Sequence, residues 1–232
     1  KKAPMHTQRN AHQSGRANNL DLNDAYAVKT PQDSRKLYAA WAETYDETFI
    51  KANDYIYPRT IATYFHERLA TEQIVSIADI GCGTGAVGSY LASLNHNLKI
   101  DGFDISPEML SRAAQLKRID ASPVYRDLVE VDLTAGIPQR SYDAIISAGT
   151  FTHGHLGCDT LVSLFDLVHP GGWFVVGINA EHFSSQGFAT ALQTATDSKI
   201  ISQPELIETQ IYGPNSPHAG DLAKIAIFKR LN

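Results

Sequence analysis

The sequence predicts an α/β fold: a mostly parallel sheet with helices on both faces, an antiparallel strand at its end, and a helical cover in front. Three observations carry this. From Ile74 onward, apolar runs of strand length (74–80, 98–103, 128–131, 142–148 and 173–178) alternate with helical stretches near 86–95, 107–118, 158–168 and 181–195. That alternation is the pattern of βαβ units. The tail departs from it. Residues 205–212 and 222–229 are strand-like and joined by a Gly/Pro-rich stretch with no helix between, so they pair as an antiparallel hairpin. Ahead of the alternation, Thr30-Pro31-Gln32-Asp33 supplies a cap, a proline in the first turn and an acid. The helix it opens is expected to reach about Phe49, with Tyr38, Trp41 and Tyr45 on one face. A second helix, near Arg59 to Thr71, is expected after the break at Tyr57-Pro58.

These elements divide the chain into a polar, flexible arm (1–29), a helical cover (30–73) and a sheet core (74–232), the last two forming one domain. A chain of 232 residues buries roughly 70–75% of its unfolded surface. It needs no disulfide or metal staple. Apolar residues make up 43% and charged residues 19%, which excludes a disordered or fibrous chain. No apolar run approaches the ~18 residues of a membrane span, and the first thirty residues lack the apolar centre of a secretory signal. Met5 is expected as the natural start, with the four residues before it left by cloning. The only cysteines, Cys82 and Cys158, suit a reducing cytoplasm. Lys1, Lys2, Arg9 and Arg16 put +4 on the first twenty residues, leaving −9 of the net −5 on the other 212. So acidic a body repels a phosphate backbone, which argues against nucleic acid as a partner.

The chemistry is concentrated in Ile77-Ala78-Asp79-Ile80-Gly81-Cys82-Gly83-Thr84-Gly85-Ala86-Val87-Gly88. A strand ends at a glycine-rich turn and a helix begins at once, presenting unpaired N–H groups to a ligand. Residues 83–88 satisfy G-x-G-x-x-G, and Asp104 follows 21 residues after Gly83, at the end of the next strand. By itself that pattern leaves NAD and other nucleoside cofactors open. Asp79, beside the turn, argues against a pyrophosphate on the helix N-terminus and for a ligand ammonium group. Asp104 suits a pair of ribose hydroxyls. Asp132, at the end of the third strand, suits an exocyclic adenine amine. An amine, a ribose and an adenine without pyrophosphate describe S-adenosylmethionine.

Here the sequence resembles the class I SAM-dependent methyltransferases. The matching segments are residues 79–85, 102–110, 132–133, 142–146 and 170–173. With Tyr38-Ala39-Ala40-Trp41-Ala42-Glu43-Thr44-Tyr45-Asp46 and Thr150-Phe151-Thr152-His153-Gly154-His155, it looks closest to the Williams–Beuren-region methyltransferase-like proteins. The resemblance implies a Rossmann-like seven-stranded sheet with an antiparallel last strand. It also implies a SAM site: Gly81, Gly83 and Gly85 around the methionine moiety, Asp104 on the ribose, Asp132 on the adenine amine, and Tyr38 and Tyr45 closing over the cofactor. Cys82, Ile105, Met109, Leu133 and Ala148 fall in or beside the matching segments as further expected contacts. The implied activity is methyl transfer to a small molecule.

His153 and His155 follow the fourth parallel strand, where an acceptor approaches, and are the candidate general bases. Residues i and i+2 in a loop can also ligate a metal, but no third ligand accompanies them, so no metal is expected. The sequence has no Asp/Asn-Pro-Pro-Tyr segment and no Pro-Cys nucleophile, which disfavours methylation of amide or adenine amines and of cytosine C5. An NAD(P)-dependent oxidoreductase is the rival enzyme reading. Against it, no tyrosine has a lysine four positions on. A SAM-binding module without catalysis is the rival from another class.

Overall fold

The computed structural model describes residues 20–232. Residues 1–19, most of the expected arm, lie outside them. Seven strands form one sheet: β1 (Ser76–Ile80), β2 (Lys99–Asp104), β3 (Tyr125–Glu130), β4 (Tyr142–Phe151), β5 (Val168–Asn179), β6 (Glu205–Gln210) and β7 (Leu222–Lys229), in the order β3-β2-β1-β4-β5-β7-β6. The first five strands run parallel; β7 pairs antiparallel with both β5 and β6, as the helix-free connection requires. Strand order reverses at β1, flanked by β2 on one side and β4 on the other. A crevice therefore opens at the carboxyl ends of these strands, the usual ligand position in such sheets.

Alternation along each strand splits the core in two. Ile77 and Val175 face one cluster, beneath α3 (Tyr57–Arg68), α4 (Ala86–Leu94) and α5 (Pro107–Ala113). Ala78, Ile80, Phe174 and Val176 face the other, with α6 (Cys158–Ser163), α7 (Ala180–Ser185) and α8 (Phe188–Asp197). Below the crevice, buried Asp101 is satisfied by Tyr142 (2.7 Å) and by two nitrogens of Arg126 (2.8 and 2.5 Å), which makes its burial tolerable.

Four expectations need correction. Residues 20–29 are not simply polar tail. Asp21 caps the short helix α1 (Leu22–Tyr26), and Leu22, Ala25 and Val28 are buried; three apolar positions in so short a stretch leave no readable periodicity. The single helix expected over 31–49 is α2 (Pro31–Trp41) followed by a π-helical segment (Asp46–Lys51). There the bonds widen to five residues, as in Ala52 N to Glu47 O (3.2 Å), and fully buried Trp41 donates to Thr48 Oγ1 (2.7 Å). Such widened turns recur at functional sites. α3 begins at Tyr57 itself, because Pro58 is accommodated in a first helical turn that needs no N–H. The helix expected over 181–195 is α7 and α8, broken at Gly187, whose φ of 80° no helix allows.

Candidate functional site

The glycine turn after β1 is anchored from behind, with Gly81 N and Cys82 N donating to Phe103 O (2.8 and 3.1 Å). Gly81 has φ +65°, and a Cβ there would lie 2.0 Å from Thr150 Oγ1, so β4 crosses the turn where only glycine fits. Gly83 faces open space. Its N–H donates to Asp104 Oδ2 (2.8 Å), and Ser106 N donates to Asp104 Oδ1 (2.9 Å), so the carboxylate at the end of β2 is held by both oxygens. Burial raises the Asp104 pKa against the pull of these backbone donors. Ser106 then caps α5 through Met109 N (3.3 Å). One strand over, Asp132 accepts from Thr134 N (2.9 Å) and Thr134 Oγ1 (2.6 Å), which leaves its second oxygen free.

These groups line a cavity of about 120 Å³, together with Tyr38, Tyr45, Ile105, Met109, Leu133 and Ala148. Ten of the thirteen residues expected around a cofactor thus meet in one place. Three do not. Cys82 turns behind the loop towards Gly102 and is buried, which pushes its thiol pKa up. Gly85 caps α4 and packs on Ala113, Leu116 and Tyr125. Asp79 is the main correction. Its side chain is 1% exposed, on the face beneath α4 rather than in the crevice, and accepts from the Tyr125 hydroxyl (2.7 Å). Two residues back along the strand is Ile77, on the same face, which packs into the core beneath α3 and α4. The ammonium contact expected of Asp79 therefore has no geometric basis.

The cover closes the cavity through named contacts. Thr84 Oγ1 donates to Asp46 Oδ1 (2.7 Å), Arg35 pairs with Glu130 (3.2 Å), and the Tyr38 hydroxyl lies 3.0 Å from His155 Nε2. His155 Nδ1 sits 2.5 Å from His153 O; with a proton on Nδ1, Nε2 accepts from Tyr38. Burial lowers the His155 pKa against the pull of the His153 carbonyl. The structure separates the two histidines. His155 lines the cavity, whereas the His153 ring stacks on Tyr26 (4.2 Å) and meets His182 edge-on (4.4 Å), outside the lining. Gly154, at φ +64°, turns the chain between them.

Sequence reasoning missed Tyr55, which lines the cavity and is tied to Tyr212 by a β-bridge. It also missed a second, smaller chamber behind Tyr38 and His155, walled by Tyr26, Phe49, Tyr55, Tyr57, Phe151 and Tyr212. The run of aromatics from 38 to 57 was the only available signal. Among the described residues, no cluster of three His, Cys, Asp or Glu side chains is placed to hold a metal, and no helix is long and apolar enough to cross a membrane.

A seven-stranded sheet in this order, with its last strand reversed and a glycine turn at the switch point, defines the Rossmann-like methyltransferase fold. Residues 78–174 match the profile of a family described as "Methyltransferase domain". Trans-aconitate 2-methyltransferase of Streptomyces avermitilis is 37% identical over 98 residues, 41% of this chain and 36% of that protein. Malonyl-[acyl-carrier protein] O-methyltransferase 1 of Ilyobacter polytropus is 37% identical over 76 residues, 33% of this chain and 27% of that one. The match thus spans only about a third of these curated relatives. Among solved structures, the plantazolicin methyltransferase BpumL in complex with SAH and a substrate analogue aligns at TM-score 0.56 and 16% identity, over 87% of this chain and 96% of its own. A SAM-dependent O-methyltransferase from Thermotoga maritima aligns at 0.55 and 15%, over 75% and 65%. At such identities the likeness establishes the fold.

Proposed function

We propose that the protein is a SAM-dependent methyltransferase acting on a small molecule in the cytoplasm. One observation carries the reading: among the described residues, the only formally charged groups lining the main cavity are two carboxylates, Asp104 and Asp132. No Lys or Arg is there to meet a pyrophosphate, which favours a cationic, phosphate-free nucleoside over NAD. S-adenosylmethionine supplies, when bound, a methyl group on an electrophilic sulfonium. Asp104, already oriented by Gly83 N and Ser106 N, accepts the ribose hydroxyls, and the free oxygen of Asp132 takes the adenine amine. Gly81 and Gly83 leave room for the methionine portion, while Ile105, Met109, Leu133 and Ala148 contribute apolar walls. Tyr38 and Tyr45 exclude water from above. The likeness of residues 38–46 to the Williams–Beuren-region proteins supports placing the chain near them, since these aromatics cover the cavity. A small aromatic chamber next to the site supports a small acceptor.

Calorimetry tests this directly. SAM and its demethylated product should bind, and NAD should not. Asp104→Ala should weaken SAM binding by about 1.5–3 kcal/mol, roughly 10- to 150-fold, the range for hydrogen bonds to a charged group. Tight NAD binding, or unchanged SAM affinity in Asp104→Ala, would overturn the assignment.

The cover should respond to the ligand. Its clasps (Thr84 to Asp46, Tyr38 to His155) are single hydrogen bonds, so residues 30–56 open more readily than the sheet. Hydrogen exchange across 30–56 should slow on adding the product cofactor, as it does for lids that close over substrate. Equal exchange with and without ligand would make the segment ordinary packing.

A further inference from the structure

We propose, on the methyltransferase reading above, that the acceptor is a small amine, received in the tyrosine-walled chamber behind Tyr38 and His155. The chamber adjoins the main cavity, sharing walls at Tyr38, Tyr45, Tyr55, Gly149 and His155, so a molecule in it lies beside the donor site. Among the described residues, no Lys, Arg, Asp or Glu lines it. An acceptor carboxylate would enter without a counter-charge, at a penalty of several kcal/mol. Carboxylates lie close by instead: Tyr26 lines the chamber and donates its hydroxyl to Asp221 Oδ2 (2.9 Å), and Asp104 lines the adjoining main cavity.

Such walls hold a cation well, because aromatic faces attract positive charge. Tyr57 belongs to the same wall. Its hydroxyl packs against Gly177, is buried, and finds no hydrogen-bond partner among the described residues. The neighbouring base candidate is occupied, since both ring nitrogens of His155 are engaged, by Tyr38 and by His153 O.

A neutral amine needs no base in the displacement itself. Its nitrogen lone pair forms the new N–C bond while the C–S bond breaks, and that bonding pair stays on sulfur. The positive charge passes from sulfur to nitrogen, no proton moves, and the product leaves as a methylated ammonium. Positive charge thus remains between the same aromatic walls throughout. An acidic oxygen acceptor would instead need a proton acceptor that the chamber does not offer.

The test begins with SAH binding, measured by calorimetry. Failure there overturns the methyltransferase reading itself. The SAH-loaded protein is then titrated with benzylamine, N-methylbenzylamine, benzoate, phenol and trans-aconitate. The amines should bind at least tenfold more tightly than benzoate or trans-aconitate. Tyr26→Phe should keep that affinity, and Tyr26→Leu should lose about 2- to 30-fold. Turnover with SAM should yield methylated amine, with kcat/KM rising with pH toward the acceptor's own pKa and following it when a less basic amine is substituted. His155→Asn should retain that profile. If SAH binds but no amine is held more tightly than its carboxylate counterpart, or if the carboxylates or phenol are methylated instead, the amine assignment is wrong while the methyltransferase reading stands.

Discussion

Gly81→Ala is expected to lower stability by about 2–4 kcal/mol and to abolish cofactor binding. A non-glycine residue held at φ +65° costs roughly 1–2 kcal/mol. The added methyl would also lie 2.0 Å from Thr150 Oγ1, 2.8 Å from Cγ2 and 2.9 Å from Cβ. Because both branches and the branch point are in the way, no rotamer of Thr150 clears the space. Either β4 or the turn must shift, at about 1–3 kcal/mol for overpacking. The turn carries Gly83 N, one of the two donors that orient Asp104, so the shift reaches the site. For stability Gly83→Ala is the control, since its Cβ meets nothing within 4 Å and only the backbone term applies. Urea denaturation of the two variants and SAM calorimetry of Gly81→Ala check this; a Gly81→Ala protein as stable as Gly83→Ala would refute the close approach of β4.

Asp79→Asn is expected to stabilise the protein above pH 7 by on the order of 2–4 kcal/mol, with the gain vanishing in acid. Burial, partly offset by the Tyr125 hydroxyl and reinforced by Asp104, pushes the Asp79 pKa up to about 7. The folded state therefore keeps a proton that the unfolded chain releases near pH 4. Stability from this group is fully present below pH 4 and is lost as pH rises through 7. Asparagine is neutral at every pH and keeps an oxygen for Tyr125, so it removes the pH-dependent ionisation penalty, while its buried amide adds a cost that is the same at every pH. Denaturation at pH 8 and pH 5 should show a large gain at the first and a small one at the second. An equal gain at both would mean that Asp79 is not the titrating group.

The outcome for Asp79 shows where sequence reasoning reached its limit. Its place near the glycine turn was legible, but a strand has two faces, and what covers each is decided by helices far along the chain. Asp104 and Asp132 line the cavity because one ends its strand and the other follows it, at the rim where the crevice opens. The turn of residues 81–85 was legible for a related reason: strand, turn and helix N-terminus are adjacent in sequence, and glycine's freedom acts locally. The terminal hairpin was legible because a short helix-free connection admits no parallel pairing.

What remained hidden depends on segments that meet only in the folded chain. His153 and His155 are two residues apart, yet Gly154 turns one onto Tyr26 and the other into the cavity. α2 ends at Trp41, whose buried ring donates to Thr48 in the next segment. Tyr55 reaches the site because it bridges to Tyr212, 157 positions away. The order of elements and the acids at the crevice follow from local pattern, because backbone sterics and alternation act over a few residues. The second chamber follows from long-range packing, because its walls are drawn from both ends of the described chain and come together only when α1, the π-helical segment and the terminal hairpin bury their apolar faces together.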